Sequence, residues 1–168
     1  EIVRLDLPAA TAALSARFGG ARVHAVGHSL GGQLAALALA RSPQAFASLV
    51  LVASGSVDHR GFGFPKRYSV LVQSQLANAI AQTLGWFPGH RLGFGGLQPR
   101  RLVSDWSRQI RTGVYAPAGP PFDYEAALRQ VRLPVLGLGL RGDTLTTAKA
   151  TDLLCRKLAA CTIEREQF

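Results

Sequence analysis

The stretch Val23–Gly32, VHAVGHSLGG, is a short apolar run that ends in a serine framed by glycines. Arg22 to Val26 reads as a buried strand, and it feeds directly into Gly27. From Gly31 to Arg41, GGQLAALALAR is apolar nearly all round, the pattern of a helix enclosed on most sides, and Ser42-Pro43 ends it. Phe46 to Ala53, FASLVLVA, reads as a second buried strand. Strand, tight turn, helix and strand make a βαβ unit, so the fold class expected is α/β, a mostly parallel sheet flanked by helices.

The same reading extends in both directions. Leu7 to Phe18 is alanine-rich with Leu7, Ala10, Leu14 and Phe18 at helical spacing, which predicts a helix packed by one face and stopped by Gly19-Gly20. After the second strand the α/β order breaks at GFGFP and GWFPGHRLGFGG, with amphipathic helices predicted from Tyr68 to Leu84 and from Pro99 to Arg111. A Pro/Gly-rich loop, APAGPPFDY, and a short helix from about Tyr124 to Val131 follow. Regular order resumes with a strand at Pro134 to Leu140, a turn at Arg141-Gly142-Asp143, a helix at Ala148 to Leu158 and the start of a strand at Cys161 to Glu164. The expected organisation is a core segment 1–56, a helical insertion 57–131 and a second core segment 132–168.

Gly27-x-Ser29-x-Gly31 has the pattern of a nucleophile elbow, a serine on a sharp strand-to-helix turn. Glycines at Gly27 and Gly31 are expected because strand and helix pass so close there that a Cβ would clash. Such a turn exposes the hydroxyl and places the backbone N–H of Leu30 at the helix start, where it can donate to a developing oxyanion.

The run VHAVGHSLGGQLAALALA resembles the elbow of the α/β-hydrolase superfamily, and the resemblance covers essentially the whole chain. The stretch LGWFPGHRLGFGG further resembles a group of uncharacterised bacterial predicted hydrolases. The resemblance implies a serine hydrolase acting on an ester or amide through an acyl-enzyme, with Ser29 as nucleophile, Leu30 N–H as half of the oxyanion hole and residues 57–131 as a lid. Position matches Asp143 to the family's acid, which would orient a histidine base; a turn-capping Asp before a helix is the plainer reading of GDT. Asp58 is the alternative acid. An acyltransferase on the same fold, or a non-catalytic relative that acts as an interaction protein, are the alternative functions.

The base is the missing part. Of His24, His28, His59 and His90, the first reads as a core or helix-facing residue, the second as a packing or lid-contact residue, and the last two belong to the insertion. None follows Asp143, where the order serine, acid, histidine requires one. The family also places several strands before the elbow, whereas one helix and one strand precede Ser29 here. The expectation is therefore a partial chain whose base lies beyond Phe168 and which alone is nearly inactive. The strand at Val23 would then expose an unpaired edge that invites self-association. The aromatics Phe62, Phe64, Trp86, Phe87, Phe94 and Trp106 are expected to line an acyl pocket or the lid core.

Composition bounds the rest. At 168 residues and 48% hydrophobic content the chain is long and apolar enough to bury a core. Its net charge of +9 is scattered rather than clustered, without a recognition helix or an aromatic-interleaved basic strip, so no nucleic-acid partner is expected. Cys155 and Cys161 lack metal-ligand spacing and read as idle free thiols; no cofactor or metal is expected. No apolar run reaches the roughly 20 residues that span a bilayer, and the first residues are neither signal nor transit peptide, which points to the cytoplasm. The chain starts at Glu1 rather than Met, so a native start ahead of it is expected.

Overall fold

The computed structural model describes residues 1–92 and 95–168. Glu1–Ser56 together with Asp123–Phe168 form one compact unit, and Val57–Phe122 form a second. The first unit opens with a π-helical turn (Ile2–Asp6), then α1 (Leu7–Arg17), β1 (Ala25–His28), α2 (Leu30–Arg41) and β2 (Leu49–Val52). The second contains α3 (Lys66–Leu84), β3 (Trp86–Pro88), β4 (Leu97–Pro99) and α4 (Arg100–Thr112). The chain returns to the first unit with α5 (Tyr124–Leu128), β5 (Pro134–Gly139), α6 (Ala148–Cys155) and β6 (Thr162–Gln167).

The sheet of the first unit has the order β1-β2-β5-β6 with every pair parallel. In register across it stand Gly27, Leu51, Gly137 and Arg165, so these four share one face. That face receives the helices: a Cβ on Gly32 of α2 would meet Leu51, and one on Gly137 would meet Thr151 of α6. Leu39 of α2 and Leu49 and Leu51 of β2 are completely buried. Removing each of those side chains from water stabilises the fold by about 1.5–3 kcal/mol. Leu128, Leu154 and Leu158, likewise wholly buried, extend the core to α5, α6 and the turn that follows α6.

Two sequence expectations are corrected here. The strands read as buried on both faces, yet Val26 on the opposite face of β1 is 72% exposed, and Val50, Val52, Leu136 and Leu138 are only half-buried. Apolar composition records a tendency to be covered and does not name the cover. For the same reason α1 forms at its predicted place but buries none of its residues, with Leu14 and Phe18 facing solvent. Its apolar character comes mostly from alanines, which remove little area from water.

In the second unit α3 and α4 pack through a small core of Ala77, Ala81, Phe87 and Val103. Each helix ends at a glycine in left-handed conformation, Gly85 and Gly113. The antiparallel β3–β4 pair between them lies in a stretch that sequence periodicity left without an element.

Candidate active site

Ser29 stands between the last residue of β1 and the first of α2, with φ 51° and ψ −119°. A non-glycine residue in such a conformation costs about 1–3 kcal/mol and persists only where its surroundings impose it. Here both sides of its backbone are clamped. Its N–H donates to Val52 O at 3.0 Å, and its carbonyl accepts from Gly32 N–H at 3.2 Å and from the Ser54 hydroxyl at 2.7 Å. Ser29 is exposed, and Leu30 begins α2, so the Leu30 N–H is one of the groups a helix leaves without an internal partner. The positive end of the helix dipole lies at the same place and favours negative charge.

The close approach that shapes the elbow involves Gly27 and Gly32. A Cβ on Gly27 would sit 2.4 Å from the Gly32 Cα, and a Cβ on Gly32 would sit 2.3 Å from the Ser54 Oγ. Among the described residues, nothing outside its chain neighbours and its own helix backbone lies within 4 Å of the Cβ position of Gly31, which is exposed. The steric role expected of Gly31 therefore belongs to its neighbour, which faces the sheet in the first turn of α2 while Gly31 faces away.

Asp143 lies in the turn after β5. Its Oδ1 accepts from the N–H groups of Leu145 at 2.8 Å and Thr146 at 3.0 Å, and the residue is half-buried. The cap of α6 is a different residue: Thr147 Oγ1 accepts from Ala150 N–H at 3.1 Å. Asp143 thus organises its own turn rather than the helix behind it. Between the two candidate residues, at the end of β2, lies Ala53, the other non-glycine residue with positive φ among those described (42°). Its N–H donates to Leu138 O at 2.8 Å, and its carbonyl accepts from Thr146 Oγ1 at 3.0 Å. Ser29, Ala53 and Asp143 all follow the carboxyl ends of parallel strands, with β2 between β1 and β5, which is the edge where open α/β sheets bind ligands.

A model of the alpha/beta hydrolase fold matches residues 4–160. The chain belongs to the α/β-hydrolase fold family. Among solved structures, Rv0554 from Mycobacterium tuberculosis is similar at 20% identity and TM-score 0.48, over 94% of this chain and 61% of that one. An alpha/beta fold family hydrolase from Bacillus anthracis is similar at 14% identity and TM-score 0.47, over 95% and 65%. Est1E from Butyrivibrio proteoclasticus is similar at 15% identity and TM-score 0.47, over 88% and 51%. This α/β-hydrolase-fold chain therefore spans between 51% and 65% of the length of these structures. No curated protein sequence matches it.

The four histidines of this α/β-hydrolase-fold chain lie apart from the Asp143 turn in sequence, and two of them lie in the second unit. His24 is exposed and its Nδ1 is 2.7 Å from Ser48 Oγ, which corrects its reading as a core residue: β1 starts one position later, so strand alternation does not reach it. His28 closes β1 and is exposed. His59 Nδ1 is 2.8 Å from the Ile110 carbonyl and 3.5 Å from Asp58 Oδ1. His90 is exposed in the 3-10 turn Gly89–Leu92.

Asp58, the alternative acid, is buried in the second unit and held by Arg60. It accepts from Arg60 N–H and Nε at 2.9 Å and from Nη2 at 2.7 Å, while the same guanidinium donates to Thr112 O at 3.0 Å. Burial pushes its carboxyl pKa up, but the hydrogen bonds and charge of Arg60 outweigh this and leave it below the ordinary carboxylate value. With His59 donating to Ile110 O, the two basic side chains satisfy carbonyls at the C-terminal end of α4. The group is a helix-end brace.

Of the aromatics, Phe62 and Phe87 are buried, Trp86 and Trp106 half-buried, and Phe64 is 82% exposed. Phe94 lies outside the described residues. Burial raises the thiol pKa of both Cys155 and Cys161, and the Sγ of Cys161 is 3.2 Å from Val131 O. A cleft of about 290 Å³ lined by Arg22, Phe46, Arg132 and Pro134 opens at the amino-terminal edge of the sheet, opposite Ser29. Among the described residues no group of three or more His, Cys, Asp or Glu is placed to hold a metal ion, and no helix is long and apolar enough to cross a membrane.

Proposed function

We propose that this chain carries the nucleophile and the acid of a serine hydrolase that cleaves an ester or amide bond through an acyl-enzyme. The observation that supports it most is the strained Ser29 backbone at the β1–α2 junction, since nothing in an ordinary βα turn demands that conformation from a serine. In this reading Ser29 Oγ attacks the substrate carbonyl while a histidine takes its proton. The Leu30 N–H donates to the oxyanion of the tetrahedral intermediate, and the histidine returns the proton to the leaving group. Asp143 Oδ1 is occupied by its own turn, and Oδ2 accepts from the imidazole and stabilises its charged form. None of the four histidines follows Asp143, the position at which this order of residues places the base. The second unit, inserted where the family carries a lid, serves as one.

Labelling with a fluorophosphonate tests the reading. In the full-length protein the reagent is expected to form an adduct on Ser29 that Ser29→Ala abolishes; a folded protein without that adduct overturns the proposal. The 168 residues alone are expected to turn over a p-nitrophenyl ester slower by about 10⁶, the loss seen when a serine hydrolase is deprived of its base, or about 8 kcal/mol of barrier.

A further inference from the structure

We infer that Ser54 and Thr146 are positioning residues that tie the Ser29 elbow to the Asp143 turn through Ala53; the inference rests on the roles proposed above for Ser29 and Asp143. Three hydrogen bonds, joined through the Ala53–Ser54 peptide and through Thr146 itself, form a continuous line across the carboxyl edge of the sheet. The Ser54 hydroxyl donates to the Ser29 carbonyl at 2.7 Å, and the adjoining Ala53 carbonyl accepts from Thr146 Oγ1 at 3.0 Å. The Thr146 N–H in turn donates to Asp143 Oδ1 at 3.0 Å.

Three features set this line apart from incidental loop hydrogen bonds. Ser54 is 1% exposed, and its hydroxyl occupies the space that a Cβ on Gly32 would need, so the elbow is built around it. Ala53 is held at a positive φ that an alanine adopts only under constraint, and that conformation lets one residue present its carbonyl to Thr146 while the next turns its side chain back to Ser29. The line also joins the two residues whose separation a triad must fix, because the histidine between them has to meet both at hydrogen-bond distance.

Two alignments depend on it. The Ser29 carbonyl is fixed at one end of the peptide whose other end is the Leu30 N–H, so Ser54 sets the direction of the oxyanion donor. Thr146 sets the height of the Asp143 carboxylate relative to β2. Both act on geometry in the transition state and leave substrate binding alone, so their loss should appear in kcat rather than KM.

The test uses the full-length protein with a short-chain p-nitrophenyl ester and a fluorophosphonate. Ser54→Ala is expected to lower kcat and the labelling rate by about tenfold with KM within about twofold, because a misplacement of an ångström can cost up to 10²-fold. Thr146→Val should fall similarly and Thr146→Ser, which keeps the hydroxyl, should stay at the wild-type rate. In the double variant Ser54→Ala/Thr146→Val the losses should be less than multiplicative, since either break severs the same line. If Ser54→Ala shows no cooperative melting, the Thr146→Val and Thr146→Ser pair decides, and equal rates for the two overturn the inference. Wild-type kcat in folded Ser54→Ala, or fully multiplicative losses, overturn it as well. A wild-type protein that takes no label defeats the nucleophile reading, and the inference with it; one that labels at the same rate with and without the Ser54 hydroxyl defeats only the inference.

Discussion

Two aspartates follow strands of this molecule, and they are held in opposite ways. Asp58, beyond β2, is buried, ion-paired with Arg60 and pushed below the ordinary carboxylate value. Asp143, beyond β5, is half-buried and uses one oxygen for two backbone N–H groups of its own turn. Perturbation of a carboxylate is often read as a sign of catalysis. Here the aspartate with the lowered pKa braces a helix end, while Asp143, at the carboxyl edge of the sheet, commits one oxygen to its own turn. The proposed acid is the one whose bonding leaves an oxygen for a partner.

The contrast can be broken most sharply at Asp143. Asp143→Asn keeps an oxygen for the two N–H groups and removes the charge, so kcat of the full-length protein should fall by about 10⁴, as in a triad that loses its acid, while stability changes by less than about 1 kcal/mol. Asp58→Ala should do the reverse. It leaves the Arg60 backbone N–H without its acceptor and the guanidinium with only the Thr112 carbonyl of the two acceptors described, and an unfolding free energy lower by about 2 kcal/mol in urea titration is expected, moderated because the Arg60 side chain is 60% exposed. Rates that fall with Asp58 and hold with Asp143 would exchange the two roles.

Smaller effects sharpen the same line. Gly113→Ala places a Cβ 2.3 Å from Asp58 Oδ2 at a φ of +74°, so it both strains the end of α4 and displaces the carboxylate; a loss of about 1–2 kcal/mol is expected by the same titration. The smallest effect is the pH dependence. A carboxyl whose native pKa lies below its unfolded value contributes stability that is complete above about pH 4 and disappears as pH falls through the native value, because the unfolded chain binds the proton more readily. Melting temperature should therefore drop less between pH 6 and pH 3 in Asp58→Asn than in the wild type.

The α/β core was legible because its signals are local. A β-branched run that meets a glycine and an apolar helix leaves little choice, and β1, α2, β2 and β5 fall within a few residues of their predicted places. What escaped depends on partners distant in sequence. G-x-S-x-G drew attention to Gly31, but only the approach of Ser54, brought in by β2, shows that Gly32 is the glycine the fold requires. Likewise Leu14 and Phe18 mark a stripe on α1 without anything in the sequence to say whether it is covered. The hairpin of Trp86–Pro88 with Leu97–Pro99 was hidden because its strands are too short for alternation to register. Ser54 itself gave no signal, as its hydrogen bond reaches a residue 25 positions away.

The parallel pairing of β2 with β5 has a consequence in time. β1 and β2 are separated by α2 alone, whereas the whole second unit lies between β2 and its other neighbour. The entropy of closing such a loop grows only by about 0.6 kcal/mol for each doubling of its length, so the size of the insert hardly affects how stable the sheet is. It does bear on the speed of folding, since the loop must be closed before the contacts that reward its closure can form. The elbow around Ser29 can assemble from a continuous local segment early in folding. The Asp143 turn and the bond from Thr146 to Ala53 join segments on either side of Val57–Phe122, and both are expected to form after the elbow.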